Sequence, residues 1–168
     1  MSELITKLAI IDFDGTMVDT GLPETGMPIW KEKTGTDYPH KGWWGREESL
    51  DMKVFNWPVY DDMVEVYEEE MARANTHVVM MTGRLAKLDK HVISILDYYG
   101  LEFDDYRFMT GGGTIKSKSR DLEKFKVRFP NLELIEMWDD RTSHIVEFQA
   151  WGDAQDVPFK INHVHTDI

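Results

Sequence analysis

Leu8 to Ile11 is an apolar run that ends abruptly in two aspartates one residue apart, Asp12 and Asp14, followed by Gly15 and Thr16. A short continuous apolar run is the pattern of a strand buried on both faces. Carboxylates placed just after such a strand stand at the carboxyl edge of a sheet, where open α/β folds bind ligands. Gly15 lets the chain turn where a Cβ would obstruct it. Two acids this close repel each other, and a hard cation that takes oxygen ligands, magnesium above all, would relieve that repulsion.

The same arrangement returns near the other end of the chain. Leu132 to Trp138 reads as a strand, and Asp139-Asp140-Arg141 follows it. One such pair could serve as a helix N-cap. Two pairs on two strands of one sheet point to a divalent site. Between them, Thr76 to Met81 reads as a second buried strand ending in Thr82-Gly83-Arg84. A hydroxyl there can donate to a phosphoryl oxygen, and a glycine leaves backbone amides open to do the same. Tyr106 to Met109 and Val157 to Val164 complete five expected strands, the last at an edge. Apolar spacings of three and four mark helices over 59–75, over 85–99 with Gly100 as C-cap, and after Thr114 with Leu122, Phe125 and Phe129 on one face. Alternating strands and helices predict an α/β fold with three layers, a Rossmann-like, mostly parallel sheet between helices.

These motifs resemble those of the haloacid dehalogenase (HAD) superfamily. The string D-F-D-G-T is similar to its first motif, T-G-R to its second, and D-D-R to one form of its fourth. The resemblance implies that Asp12 is a nucleophile and Asp14 a general acid/base. It implies that Thr82 and Gly83 bind phosphate, and that magnesium is held by Asp12, the Asp14 carbonyl and Asp140, with Asp139 supporting from behind. The third motif is a lysine. Lys116 and Lys118 compete for it, and Lys118 fits better because it completes a T-x-x-x-K pattern from Thr114. At finer grain the pattern looks like the Swiss-Army-knife RNA-repair-like HAD group, the phosphatase domains of phage polynucleotide kinases, and the deoxyribonucleotidases.

Residues 17–75 occupy the slot where that superfamily inserts a cap, within a single domain over 1–168. Four of the six tryptophans fall there: Trp30, Trp43, Trp44 and Trp57. A cap tryptophan could stack on a nucleobase or pack the cap's own small core; Trp30, Trp43 and Trp44 are the substrate candidates. Arg84 could reach substrate phosphate or open the next helix. His77 reads as structural, His144 as structural or pocket-shaping, and His163-Val164-His165 as a surface strand. The Gly111–Gly113 triplet lacks the P-loop spacing and reads as a loop.

Composition narrows the partners. The chain has 168 residues, a net charge of −12 and no cysteine. Disulfides and thiolate metal sites are excluded. The acidic balance opposes a broad phosphate-tracking surface unless a local basic patch exists. No apolar run reaches membrane-span length and no signal-peptide core opens the chain, so a cytoplasmic location is the default expectation. The expected activity is magnesium-dependent phosphomonoester hydrolysis through an aspartyl-phosphate, on a nucleotide or a nucleic-acid 3′ or 5′ end. The rivals are a non-catalytic nucleotide or RNA-end binding module and a phosphotransferase on a sugar phosphate.

Overall fold

A computed structural model describes residues 4–165. Five strands form one sheet: β1 (Lys7–Ile11), β2 (Thr76–Leu85), β3 (Asp105–Met109), β4 (Leu134–Asp139) and β5 (Phe159–His163). Their spatial order is β3-β2-β1-β4-β5, and every pairing is parallel. The order reverses beside β1, which puts the Asp12–Asp14 edge at the topological switch point, where α/β sheets open a crevice.

β1 is central and its alternation builds the core. Leu8 and Ile10 point to one face, joining Val79, Met81, Ile135 and Met137 under helices α5 (Thr114–Arg128) and α6 (Thr142–Asp153). Ala9 and Ile11 point to the other, joining Val78, Met80, Val92, Ile95 and Leu96 beneath α3 (Asp61–Ala72) and α4 (Asp89–Tyr98). A sheet buried on both faces explains why its strands read as unbroken apolar runs. The three-layer α/β architecture expected from the sequence is the observed one.

Two boundaries differ from expectation. β2 continues through Thr82-Gly83-Arg84 to Leu85, with an irregularity in its register against β3 between Met81 and Leu85. Such irregularities re-aim side chains, and here Arg84 turns inward and is buried. The following helix therefore begins at Asp89, after a short 3₁₀ turn over Ala86–Leu88. The segment expected as a cap over 17–75 also divides. α3 packs on β2 and buries Met63, so it belongs to a sheet-flanking layer. The inserted part is 17–60, containing α1 (Pro23–Thr34), a 3₁₀ turn at Glu47–Leu50 and α2 (Met52–Phe55).

That insert has an aromatic interior. Phe55 stacks on Trp57 at 4.5 Å, and Trp43 meets Tyr38 and Phe55. Trp43 Nε1 donates to the Gly21 carbonyl, and Trp57 Nε1 to the Ser49 carbonyl. Gly26 of α1 lies directly beneath the Trp43 ring; a Cβ there would meet ring carbon Cη2 at 2.1 Å. Alanine favours a helix over glycine by ~1 kcal/mol, but overpacking a fixed ring costs about 1–3 kcal/mol. Gly26→Ala is therefore expected to lower the urea midpoint at constant m-value. An unchanged or raised midpoint would show that the insert's core yields freely.

Candidate active site

The carboxyl ends of β1, β2 and β4 and the first turns of α5 converge on one pocket of about 190 Å³. Asp12 leaves β1 with its carboxylate buried. Its Oδ1 accepts from Lys118 Nζ at 3.0 Å, and its Oδ2 accepts from Thr16 Oγ1 at 3.2 Å. Lys118, on the second turn of α5, also donates to Asp139 Oδ2 at 3.4 Å. Lys116 is exposed on the outer side of the same helix, so Lys118 is the lysine that faces Asp12. Asp139 further accepts from Arg141 N and meets His144 Nδ1 at 3.3 Å. His144 is thus a pocket wall that steadies Asp139.

Asp140 completes the group. One carboxylate oxygen from each of Asp12, Asp139 and Asp140 falls within 4.8 Å of the others. Gly15 adopts φ +73, and a Cβ there would meet Asp140 Oδ2 at 2.2 Å. Glycine is therefore required at that turn for conformation and for the close approach of Asp140.

The electrostatics follow from this crowding. Burial pushes the Asp12 carboxyl up to about 7; Lys118 opposes that, while Asp139, Asp140 and Asp14 add to it. Burial and then Asp139 push Asp140 up to about 6. Asp139 goes the other way: burial would raise it, but Lys118 and His144 outweigh that and hold it below the usual carboxylate range. Lys118 is raised too, because Asp12 and Asp139 overcome its desolvation. One lysine thus pairs with two of the three carboxylates, and Asp140 stands beside them without it. The surplus negative charge and an all-oxygen donor set fit a hard divalent cation.

Asp14 points the other way. Arg84 grips it with two bonds, Nη2 to Oδ1 at 2.7 Å and Nε to Oδ2 at 2.9 Å, and Thr20 Oγ1 adds a third at 2.7 Å. The same guanidinium donates to the Trp44 carbonyl and to Ser49 Oγ of the insert. Arg84 does not open the next helix; it lines the pocket and ties Asp14 to the insert. Thr82 Oγ1 accepts from Arg84 N at 3.1 Å, which leaves its own proton for another acceptor. Gly83 lines the pocket, and a Cβ there would crowd Thr114 at 3.0 Å.

The substrate-candidate tryptophans separate. Trp44 lines the pocket, with Arg84 and Arg141 guanidiniums 5.0 and 5.5 Å from its ring centre. Trp43 does not reach the pocket, because its ring is consumed by the insert's core. Trp30 packs against Tyr38 and Phe55 on the insert's far side. Arg141, Thr114, Met109, Thr16, Thr20 and Ser49 also serve this site and were not singled out from the sequence. Arg141 and Thr114 adjoin motif residues, which was the available signal; Thr20 and Ser49 are hydroxyls in an irregular stretch and gave none. His165 bonds the Gly15 carbonyl and Asp62 rather than lying free on a surface strand.

A parallel sheet with acid pairs at the ends of β1 and β4 and a lysine between them defines a protein of the haloacid dehalogenase superfamily. Residues 33–166 match the family described as HAD domain family 1 in Swiss Army Knife RNA repair proteins, and the chain belongs to it. The matched stretch carries Thr82, Lys118 and Asp139–Asp140, while Asp12 and Asp14 lie upstream of it. An uncharacterized protein of Saccharomyces cerevisiae is 25% identical over 179 residues, covering 92% of this chain and 38% of its own length. The chain thus spans well under half of that relative. Among solved structures, a chain of the Pnkp1/Rnl/Hen1 RNA repair complex superposes with a TM-score of 0.60 at 16% identity, covering 98% of this chain and 44% of that one. A haloacid dehalogenase-like hydrolase from Streptococcus pneumoniae gives 0.54 at 11% identity, covering 94% of each. These structural likenesses show the fold. No helix among the described residues is long and apolar enough to cross a membrane.

The crowded carboxylates make a thermodynamic prediction. Asp12 and Asp140 bind protons more tightly when folded than at the ordinary value of 3.8. Their contribution to stability therefore falls as pH rises from about 4 through 7. In EDTA at pH 7.5, Asp140→Asn is expected to melt about 3 °C or more above the unmodified protein. The gap should narrow as pH falls, closing near pH 4, and shrink when magnesium is added to both. Equal melting at pH 7.5 in EDTA would mean that the three carboxylates are not in conflict.

Proposed function

We propose that this chain is a magnesium-dependent phosphomonoester hydrolase that works through an aspartyl-phosphate on a nucleotide or a nucleic-acid 3′ or 5′ end. The observation that carries it is Lys118 Nζ, 3.0 Å from Asp12, inside a pocket whose acids fit a cation. Family membership supports phosphatase-type hydrolase chemistry in general. The family's description and the RNA repair complex among its structural likenesses support a nucleic-acid end as substrate.

In this reading an Asp12 carboxylate oxygen attacks phosphorus, a P–O bond to Asp12 forms, and the bond to the leaving oxygen breaks. Asp14 gives a proton to the leaving oxygen, which requires that it take that proton up from solvent and give up one of its bonds from Arg84 or Thr20 as substrate enters. Water then attacks the aspartyl-phosphate, Asp14 takes the water's proton, and phosphate leaves with Asp12 restored. Lys118, the Thr82 hydroxyl and the backbone around Gly83 hold the phosphoryl oxygens and stabilise their charge in the transition state. Asp12, the Asp14 carbonyl and Asp140 would hold magnesium, with Asp139 in support; when bound it would neutralise phosphate charge and polarise phosphorus. Residues 17–60 act as a cap, and Trp44 is its contribution to the pocket. Trp30 and Trp43 have no part in substrate binding.

Phosphate release from 3′- and 5′-mononucleotides and phosphorylated oligonucleotides, with and without magnesium, tests the reading. Asp12→Asn is expected to lose all turnover and keep the fold. Turnover by that variant would reject the nucleophile. Release from nothing on the panel, but transfer to an added sugar acceptor, would favour a phosphotransferase; neither would leave a binding module.

Arg84 makes a separate prediction as a positioning residue. Lysine cannot reproduce the two-pronged grip on Asp14. Arg84→Lys should lower kcat about 100-fold with little change in KM, since a misplacement near 1 Å has that effect. It should also shift the pH–rate profile. A rise in KM at normal kcat would instead make Arg84 a substrate contact.

A further inference from the structure

The net charge of −12 conceals one strongly basic element. α5 carries six cations (Lys116, Lys118, Arg120, Lys124, Lys126, Arg128) against two carboxylates (Asp121, Glu123). Three of the six are accounted for. Lys118 serves Asp12 and Asp139, Lys126 pairs with Asp156, and Arg128 pairs with Asp105. The other three, Lys116, Arg120 and Lys124, are exposed and have no carboxylate at ion-pair distance among the described residues. They stand at i, i+4 and i+8, so they form one row along the helix, each side chain about 6 Å from the next. Like charges in that row repel one another, which a folded protein tolerates at small cost but gains nothing from.

This row begins at the catalytic pocket. Thr114 and Lys118 on the first turns of α5 line the pocket, and Lys116 and Arg120, with Glu123, line a shallow depression of about 550 Å³ whose rim the glycine loop shares. Arg120 Nη2 donates to the Gly111 carbonyl at 2.8 Å, so its guanidinium reaches back toward the loop at the pocket's rim. All three glycines of that loop have positive φ. Gly112 has only the Arg120 guanidinium within 4 Å of where a Cβ would stand, and Gly111 and Gly113 have nothing. The backbone there is bare, which lets a bulky polymer pass. The pocket itself, at about 190 Å³, takes a terminal phosphoryl group but little beyond it.

We propose that the outer face of α5, from the Gly111–Gly113 loop through Lys116, Arg120 and Lys124, is the track for a single-stranded nucleic acid whose phosphorylated end occupies the pocket. The assignment of the end to the pocket rests on the phosphatase reading; the track itself rests on charge, spacing and contiguity. That row has no aromatic ring, since Phe125 is buried on the opposite side of the helix. It therefore follows the sugar–phosphate backbone without reading bases, the electrostatic half of how single strands are bound. A local row of this kind also answers the objection that an acidic chain raises against nucleic acid: the net charge is repulsive at long range, but screening limits that to about 10 Å at moderate salt.

The test separates the track from the chemistry. Fluorescence anisotropy is measured with Asp12→Asn protein and 3′- or 5′-phosphorylated single-stranded ten-mers over a salt series. Adding Lys116→Glu, Arg120→Glu and Lys124→Glu should weaken binding at least tenfold and flatten the salt dependence by about 2 in slope, as loss of three phosphate contacts requires. A control with the same charge change, Lys33→Glu, Lys87→Glu and Lys90→Glu, should do neither. With Asp12 intact, the α5 variant should hydrolyse para-nitrophenyl phosphate, which reaches only the pocket, within twofold of the unmodified protein. Its kcat/KM for the phosphorylated ten-mer should fall at least tenfold. Equal binding and equal salt slopes for the α5 and control variants would overturn the track and leave the phosphatase untouched. Track-dependent binding with no turnover of any substrate would keep the track and reject the phosphatase.

Discussion

Three carboxylates and one ammonium group crowd into a largely buried space at the pocket floor, and the arrangement of the molecule follows from supplying them. Asp12, Asp139 and Asp140 come from the ends of two adjacent parallel strands, and Lys118 from the helix that crosses behind them. Parallel pairing matters because it sends both strands' carboxyl ends to the same edge. An antiparallel partner would place its acids a full strand length away. The lysine is fully buried, and an unpaired buried ammonium would cost several kcal/mol. Its two carboxylate partners make that burial possible, and they also fix the start of α5 against β1.

The opposing pKa directions of Asp139 and Asp140, neighbours in sequence, show how finely that environment divides. Asp139 is fully buried but faces Lys118, His144 and the Arg141 amide. Asp140 is less buried, but burial and the Asp139 charge outweigh its own backbone amide, a hydrogen bond with Asp12 and the Arg141 charge. Favourable partners outweigh burial in the first case and fall short of it in the second. A structural lysine bridge would need only Asp12 and Asp139. The third carboxylate makes no ion pair with a protein cation among the described residues, and that asymmetry is the physical argument for an ion in the proposed function.

Much of this was legible because chemistry and local pattern coincided. The D-x-D, T-G-R and D-D-R strings each follow an apolar run that could only be a buried strand, so sequence position implied spatial convergence. Lys118 over Lys116 was legible only through the T-x-x-x-K pattern that the family resemblance implies; the structure buries Lys118 beside Asp12 and leaves Lys116 exposed. The insert was less legible. Its tryptophans have the same sequence signature whether they stack on ligand or on each other, and only packing distinguishes Trp44 from Trp43 and Trp30. The segment expected to form one insert over 17–75 includes α3, which packs on β2, since an amphipathic helix reads alike whether it covers an insert or a sheet. Arg84's role was hidden because its partners, Asp14, Trp44 and Ser49, lie 70, 40 and 35 residues away.

Arg84 links the two parts of the molecule that the sequence presents as separate. Its guanidinium has five donors in a rigid fork; four bonds run to one carboxylate of the sheet edge and two groups of the insert. The insert cannot lift from the sheet without stripping a buried guanidinium of its carbonyl and hydroxyl partners, a cost of about 1–3 kcal/mol for each lost acceptor. Tyr99 Oη reinforces the connection by donating to the Trp57 carbonyl. An insert fastened in this way, if it caps the site as proposed, favours substrates that enter past Thr114 and the glycine loop over substrates that need the whole insert to swing. The geometry of access and the basic row on α5 therefore point to the same rim of the pocket, although one is set by hydrogen bonds of the insert and the other by the charge of a helix on the opposite face of the sheet.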